Sequence, residues 1–256
     1  MLMLPLQSGS SGNCVFVEAA GVRLLVDAGV SGVQAERRLA AAGVDIRTVD
    51  ALLVSHDHSD HVRCAGVFQR KYKIPILATE KTLDAAERWS PLGRLFDVRP
   101  FTSGDTVRLG PLSIETVRTP HDAADGVGFV VDDGRRRLGV LTDLGHVFDG
   151  LAQLVSSLDA VLLESNHDVA MLEGGPYPAF LKSRIRGPAG HISNDEAAAL
   201  LRGAAPRRMA WACLAHLSHE NNTPRLALET HRALGAKGLQ LHVASRSAAG
   251  PALEVG

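Results

Sequence analysis

Residues 56–61 read His56-Asp57-His58-Ser59-Asp60-His61, three imidazoles and two carboxylates in six positions. They follow the apolar run Ala51-Leu52-Leu53-Val54, which has the length and character of a buried strand. Ionisable groups at the mouth of such a strand are costly unless they are neutralised or bind a metal. Residues two apart on an extended segment point the same way, so His56 and His58 can converge on one ion. If the chain then turns into a helix, Asp60 and His61 project from its first turn toward a second position. Imidazole with carboxylate suits Zn, Mn or Fe rather than Ca or Mg. Cys64 is the sole thiol nearby, which argues against a cysteine-rich structural zinc site.

Further along the chain, apolar runs repeatedly deliver the same residue types. Asp27 ends Leu24-Leu25-Val26, His121 follows Val117-Arg118-Thr119-Pro120, and Asp143 follows Val140-Leu141-Thr142. His167 follows Leu162-Leu163-Glu164-Ser165-Asn166, and His216 follows Cys213-Leu214-Ala215. Any one of these alone reads as an ordinary turn residue. In an α/β sheet, however, the C-terminal strand ends share one rim, and that rim is where ligands bind.

The elements that must position these groups alternate. Strands are expected over 14–18, 22–27, 51–54 and 74–78, the last as an edge or entering strand. Helices are expected over 31–42, closing at Gly43, and over 61–72. The stretch 105–141 is β-rich, with strands at 106–109, 112–118, 128–132 and 137–141. Helices at 146–156, 194–202 and 224–234 then alternate with strands at 160–164, 209–214 and 239–243, followed by a small-residue tail. His146 is placed at a helix start, and His219, His231 and His242 on surfaces. There is no convincing internal repeat or long linker, so one compact α/β domain over 1–256 is expected.

Composition narrows the setting. The 256 residues are 45% hydrophobic and 21% charged, ordinary for a soluble globular chain. The three cysteines, Cys14, Cys64 and Cys213, lie far apart among apolar or small residues, which suggests reduced thiols in a cytoplasmic protein. The N-terminal stretch lacks a basic segment and is too short for a signal sequence, and no apolar run approaches membrane-spanning length. Net charge is −1, so no global positive field announces nucleic acid. Basic clusters at 70–73, 135–137, 182–186 and Arg207-Arg208 would matter for nucleic acid only if they gathered around one groove. Oligomeric state is open.

His56-Asp57-His58-Ser59-Asp60-His61 matches the His-x-His-x-Asp-His signature of the metallo-β-lactamase superfamily, and Asp27, His121, Asp143 and His216 fall at its other motif positions in order. The chain resembles that superfamily over nearly its whole length. The resemblance implies a four-layer αβ/βα sandwich with a dinuclear site between two sheets. Within the superfamily the chain is similar to the WalJ/YycJ group of 5′-to-3′ double-stranded DNA exonucleases, through segments 8–13, 70–76, 120–123, 142–145, 163–168, 190–194 and 215–218. One departure is Gly126, where that group often carries proline.

Carried over position by position, the resemblance implies two divalent ions, Zn or Mn with Fe as a further option. His56, His58 and His121 would hold one; Asp60, His61 and His216 the other; Asp143 would bridge them. Asp27 would hydrogen-bond and orient the ligands. Such a pair acidifies a bridging water, which then hydrolyses a phosphodiester of a DNA duplex end. Asp60 and His191 are the catalytic candidates, His191 through protonation of the leaving 3′-oxygen or stabilisation of the phosphate. His167 could support the ligands, face substrate or sit in the core. Asn13, in a Gly/Ser-rich turn, is a candidate contact to substrate phosphate. The rival readings are a small-molecule or cyclic-nucleotide phosphodiesterase or thioester hydrolase on the same site, and a non-catalytic nucleic-acid-binding module.

Overall fold

The computed structural model describes residues 1–204, 209–235 and 237–256. In the first half of the chain the elements are β1 (Leu2–Gln7), β2 (Cys14–Ala19), β3 (Val22–Val26), α1 (Gly32–Ala41), β4 (Ala51–Leu53), α2 (Ser59–Val62), α3 (Ala65–Tyr72), β5 (Ile76–Ala78), α4 (Glu80–Trp89) and β6 (Val98–Pro100). The second half begins with β7 (Thr106–Leu109), β8 (Leu112–Arg118), β9 (Val127–Asp132), β10 (Arg137–Leu141), α5 (Leu151–Ser156), β11 (Ala160–Glu164), α6 (Val169–Gly174) and α7 (Ala179–Arg186). It closes with α8 (Asn194–Ala204), β12 (Trp211–Ala215), α9 (Pro224–Leu234), β13 (Gln240–Val243) and β14 (Leu253–Glu254).

Alternation along the strands builds the layers. In β3, Leu24 and Val26 face one buried cluster while Leu25 faces another; in β4, Ala51 and Leu53 are set against Leu52 in the same way. In β11, Ala160 and Leu162 join that first cluster, and Val161 and Leu163 point to a third. The shared cluster is therefore the interior between two sheets. The first sheet runs β14-β1-β2-β3-β4-β5-β6 and the second β13-β12-β11-β10-β9-β8-β7. Leu39 of α1, Phe68 of α3 and Ala86 of α4 cover the first sheet from outside. Val155 of α5, Leu201 of α8 and Ala227 of α9 cover the second. Both sheets are covered on both faces, which explains why their parallel strands read as unbroken apolar runs.

The four-layer sandwich and one-domain architecture match expectation; several elements differ from it. Leu2–Gln7 is a strand between β14 and β2 despite Pro5, and the register shifts between Pro5 and Gln7. Part of the small-residue tail is β14, which pairs with β1. Strand β5 lies between β4 and β6, not at an edge. The single helix expected over 61–72 is split, because the Cys64 N–H donates to Ala28 O (2.9 Å) on the neighbouring turn. Gly150, at φ 88°, starts α5 late and leaves His146 in the preceding turn. Helices α4, α6 and α7 and strand β6 were not anticipated. His231 is buried, not at the surface, with Nε2 3.1 Å from Ser165 Oγ. Arg207-Arg208 lies outside the described residues. Among the described residues, no helix is long and apolar enough to cross a membrane.

Candidate metal centre

The rim above the parallel strands gathers the predicted residues. The loop after β4 carries His56 and His58, and α2 carries Asp60 and His61. From the second sheet come His121 after β8, Asp143 after β10 and His216 after β12. Asp27, Asp143 and His216 all have positive φ, 65°, 55° and 53°. Left-handed backbone at a non-glycine residue is uncommon, and three strand ends sharing it mark a rim shaped for its side chains.

Asp143 stands at the middle of the cluster. Its Oδ2 is 3.2 Å from His61 Nε2. Its Oδ1 is 3.4 Å from His216 Nε2 and 3.6 Å from His121 Nε2. On one side His58 Nδ1 is 3.2 Å from His121 Nε2, with the His56 ring 4.7 Å from that of His58. On the other, His61 Nε2 is 3.5 Å from Asp60 Oδ2, and its ring stacks with His216 at 5.5 Å. Two sets, His56 with His58 and His121, and Asp60 with His61 and His216, each keep their donor atoms within 4.8 Å of one another. Asp143 converges in the same way with His56 and His61, one residue from each set.

The electrostatics call for cations. The buried Asp143 carboxyl would be raised by desolvation, yet His216, His61, His56 and His121 hold it well below the usual range. Burial opposes charge on His61, but Asp143, Asp27 and Asp60 pull its pKa well above that of a free imidazole. Burial and neighbouring imidazoles push His56 well below. Among the described residues, His56 Nε2 and Asp143 Oδ2 are buried with no hydrogen-bond partner. Orphaned acceptors of this kind in a dense imidazole–carboxylate cluster fit divalent metal ions.

Around this cluster the polar groups are spent on holding it. Asp27 accepts from the Ser55 N–H (2.8 Å) and hydroxyl (2.9 Å), and lies 2.7 Å from His61 Nδ1. Gly29 has no side chain because a Cβ there would overlap the Asp60 carbonyl. His121 Nδ1 is 2.9 Å from Gly190 O. His191 Nδ1 is 2.6 Å from Glu164 Oε1, and the ring lies 4.9 Å from His121 and 5.2 Å from His216. Burial disfavours charge on His191, but Glu164, Asp143 and Asp60 push its pKa up to about 9. Glu164 was not singled out as a site residue. Its Oε2 also accepts from the Leu144 and Ile192 N–H groups at 3.0 and 3.3 Å, tying together the loops of Asp143 and His191. A carboxylate at the end of an apolar strand, as in Glu164, was the available signal.

Asn13 comes out differently, and the open reading of His167 narrows. Asn13 is buried and faces Asp60, not solvent: its Nδ2 donates to Asp60 Oδ2 (3.1 Å) and lies 2.9 Å from His61 Nε2. Its backbone N–H is taken by Asp60 O at 2.7 Å. The Gly/Ser turn thus clamps the ligand loop and offers no free amide at Asn13 to a phosphate. His167 is buried with Nδ1 unpartnered, and its side chain hydrogen-bonds no candidate ligand among the described residues. It lines a separate cavity of about 260 Å³ with His146 and Arg186, which meets the metal rim only at His191.

The cluster opens into a cleft of about 350 Å³, bordered by Asp60, Asp143, His191, His216, Tyr177 and Arg184. Of the basic clusters, 182–186 reaches this cleft through Arg184. Arg70 instead donates to Leu92 O (2.7 Å), and Arg137 pairs with Glu115 (2.7 Å).

Comparison with known proteins agrees with this fold. A model of the β-lactamase superfamily domain matches residues 22–216. The chain belongs to the metallo-β-lactamase superfamily. It is 37% identical over 237 residues to exodeoxyribonuclease YycJ of Bacillus anthracis, covering 91% of this chain and 89% of the relative. It is 39% identical over 226 residues to exodeoxyribonuclease WalJ of Streptococcus pneumoniae, covering 87% and 83%. Zn(2+)-bound PqqB from Methylobacterium extorquens shares the fold, with a TM-score of 0.74 at 17% identity and coverage of 99% and 100%.

Proposed function

We propose that the chain is a dinuclear-metal phosphodiesterase that degrades double-stranded DNA from the 5′ end, as one hydrolase domain over residues 1–256. The observation that carries the chemistry is His191, fixed by Glu164 at the edge of an imidazole–carboxylate cluster that opens into a cleft. DNA as substrate is supported by the kinship with two exodeoxyribonucleases along most of the chain.

The ions would be Zn or Mn, held by His56, His58 and His121 at one position and by Asp60, His61 and His216 at the other, with Asp143 between. When bound, they supply Lewis acidity to the phosphate oxygens and lower the pKa of water toward neutrality. The chain's own groups do the rest. Asp27 and Ser55 fix the orientation of the His61 and His56 rings. Glu164 takes the hydrogen bond of His191 Nδ1–H, which leaves Nε2 to give a proton to the departing 3′-oxygen. Three free cysteines fit a reducing, cytoplasmic setting. Burial pushes the Cys14 thiol up and that of Cys213 up to about 12, so neither is reactive at neutral pH.

The test is turnover with Mn and with Zn on 5′-labelled linear duplex, closed circular DNA, RNA and bis-p-nitrophenyl phosphate. Linear duplex should be shortened from its 5′ end while the closed circle is spared. Activity confined to the chromogenic ester, or to a thioester, overturns the proposal.

A further inference from the structure

One wall of the cleft is only partly packed within the protein. Helix α7 buries none of its eight residues, although tertiary packing is what normally holds so short a helix. Leu181, Arg184 and Ile185 face the cleft, and Tyr177, just ahead of the helix, joins them. Phe180, one turn before Arg184, is 74% exposed. Polar ties anchor this wall. Arg184 Nε donates to Asp122 Oδ2 (2.6 Å), Arg186 pairs with Glu173 (2.8 Å), and the His191 N–H donates to Ile185 O (2.9 Å). Asp122 is itself 3.5 Å from His58 Nε2. These ties join the wall to the ligand cluster and leave the half-buried Tyr177, Leu181 and Ile185 along its cleft face.

Tyr177 is the residue on that face best prepared to meet a substrate. It lies between Pro176 and Pro178. The ring of Pro178 confines the preceding backbone to the extended region, and both prolines fix their own φ. Little backbone entropy is left for Tyr177 to lose on binding. A structural tyrosine spends its hydroxyl or packs its ring. Among the described residues Tyr177 forms no side-chain hydrogen bond and no aromatic contact, and it is half-buried beside Asp60, Asp143, His191 and His216.

We propose that Tyr177 is the stacking platform for a nucleobase flanking the scissile phosphate. The inference rests on the DNA reading above and adds the residue that grips the chain end. Every base has a π-face, so a stacking contact holds DNA without preferring a sequence. That suits an enzyme which must move through whatever sequence it degrades.

The experiment compares wild type, Tyr177→Ala, Tyr177→Leu and Tyr177→Phe on three 5′-labelled duplexes: one intact, one abasic at the first nucleotide and one abasic at the second. Loss of one stacked base is expected to raise KM about tenfold with kcat nearly unchanged, for Ala and Leu alike. Phe, which keeps the ring, should restore the wild-type KM. Wild type should lose a similar factor on one of the two abasic duplexes, and that duplex identifies the stacked position. The Ala variant should be indifferent to the same lesion. If wild type degrades DNA but Ala keeps the wild-type KM or the full abasic penalty, the Tyr177 assignment is overturned while the DNA reading stands. If wild type degrades no duplex, the DNA reading fails and this inference fails with it.

Discussion

Asp27 and Asp143 hold corresponding places in the two sheets and do different work. Strand β3 is where pairing changes from antiparallel with β2 to parallel with β4, and β10 is where it changes from antiparallel with β9 to parallel with β11. Each aspartate lies just beyond its strand, buried, with positive φ. Asp27 has spent both oxygens on Ser55 and His61. Asp143 keeps a buried oxygen with no hydrogen-bond partner among the described residues, surrounded by imidazoles. The next loops diverge in the same sense. After β4, the chain points His56, His58, Asp60 and His61 into the cluster. After β11, Ser165 donates to Asn194 Oδ1 (2.6 Å), Asn166 donates to His216 O (2.8 Å) and Asp168 accepts from the Met171 N–H (2.8 Å). Residue type and topological place were alike; the neighbours within reach decided which group was left open for a cation.

The sharpest way to break this comparison is Asp143→Asn. Removing the central carboxylate should cost on the order of 10³-fold or more in turnover, the scale of several kcal/mol of Lewis-acid stabilisation. Metal content should fall with it, measured by elemental analysis after dialysis. Full metal occupancy with full activity would remove Asp143 from the centre.

His191→Ala should keep the metals and lower kcat about 10²- to 10⁴-fold, whereas His167→Ala, on the far side of His191, should change it little. A parallel drop in metal content would instead make His191 a ligand beside His121 and Asp143, a set whose donor atoms do converge. Asp27→Asn should be milder than either: about 10- to 100-fold in metal affinity by calorimetry, because it loosens His61 without removing a donor. If it matched Asp143→Asn, the distinction between the two strand-end carboxylates would collapse.

These contrasts also mark what could be read in the sequence. Four candidate ligands in residues 56–61 are legible because one short segment carries both the strand-end and the helix-start geometry. His121, Asp143 and His216 are legible only as a series, since each alone is an ordinary turn residue. The division of labour between Asp27 and Asp143 depends on which groups the fold brings within 3 Å of Asp27, and spacing does not encode that. Asn13 departs from expectation for the same reason: a Gly/Ser turn advertises free amides, and the Asp60 carbonyl that takes the Asn13 N–H lies 47 positions away. Strand β1 was hidden by Pro5, and β14 by its length of two residues, since neither carries the usual strand signals. Helix α7 was missed because it has no buried stripe to create a periodic pattern.

The smallest predicted effect is the most specific. Glu164→Gln keeps an oxygen for the Leu144 or Ile192 N–H but loses the charge facing His191. Burial alone would depress the His191 pKa; Glu164 leads the groups that push it up to about 9, followed by Asp143 and Asp60. Cations held by Asp143 and Asp60 would offset those two contributions, which leaves Glu164 as the remaining group that favours the protonated imidazole. A group needed as an acid is active below its pKa and loses that activity as pH rises through it. The alkaline limb of kcat/KM should therefore move to lower pH in the variant, with activity recovering toward wild type on the acid side. The folding contribution has the same sign: a raised folded-state pKa gives stability that is present below the unfolded value and lost as pH rises toward about 9. Thermal melts of the two proteins should thus differ most at acid to neutral pH and converge at alkaline pH. An even loss of rate with an unmoved alkaline limb would mean that Glu164 serves the loops of Asp143 and His191 as a hydrogen-bond anchor, and that its charge is not what arms His191.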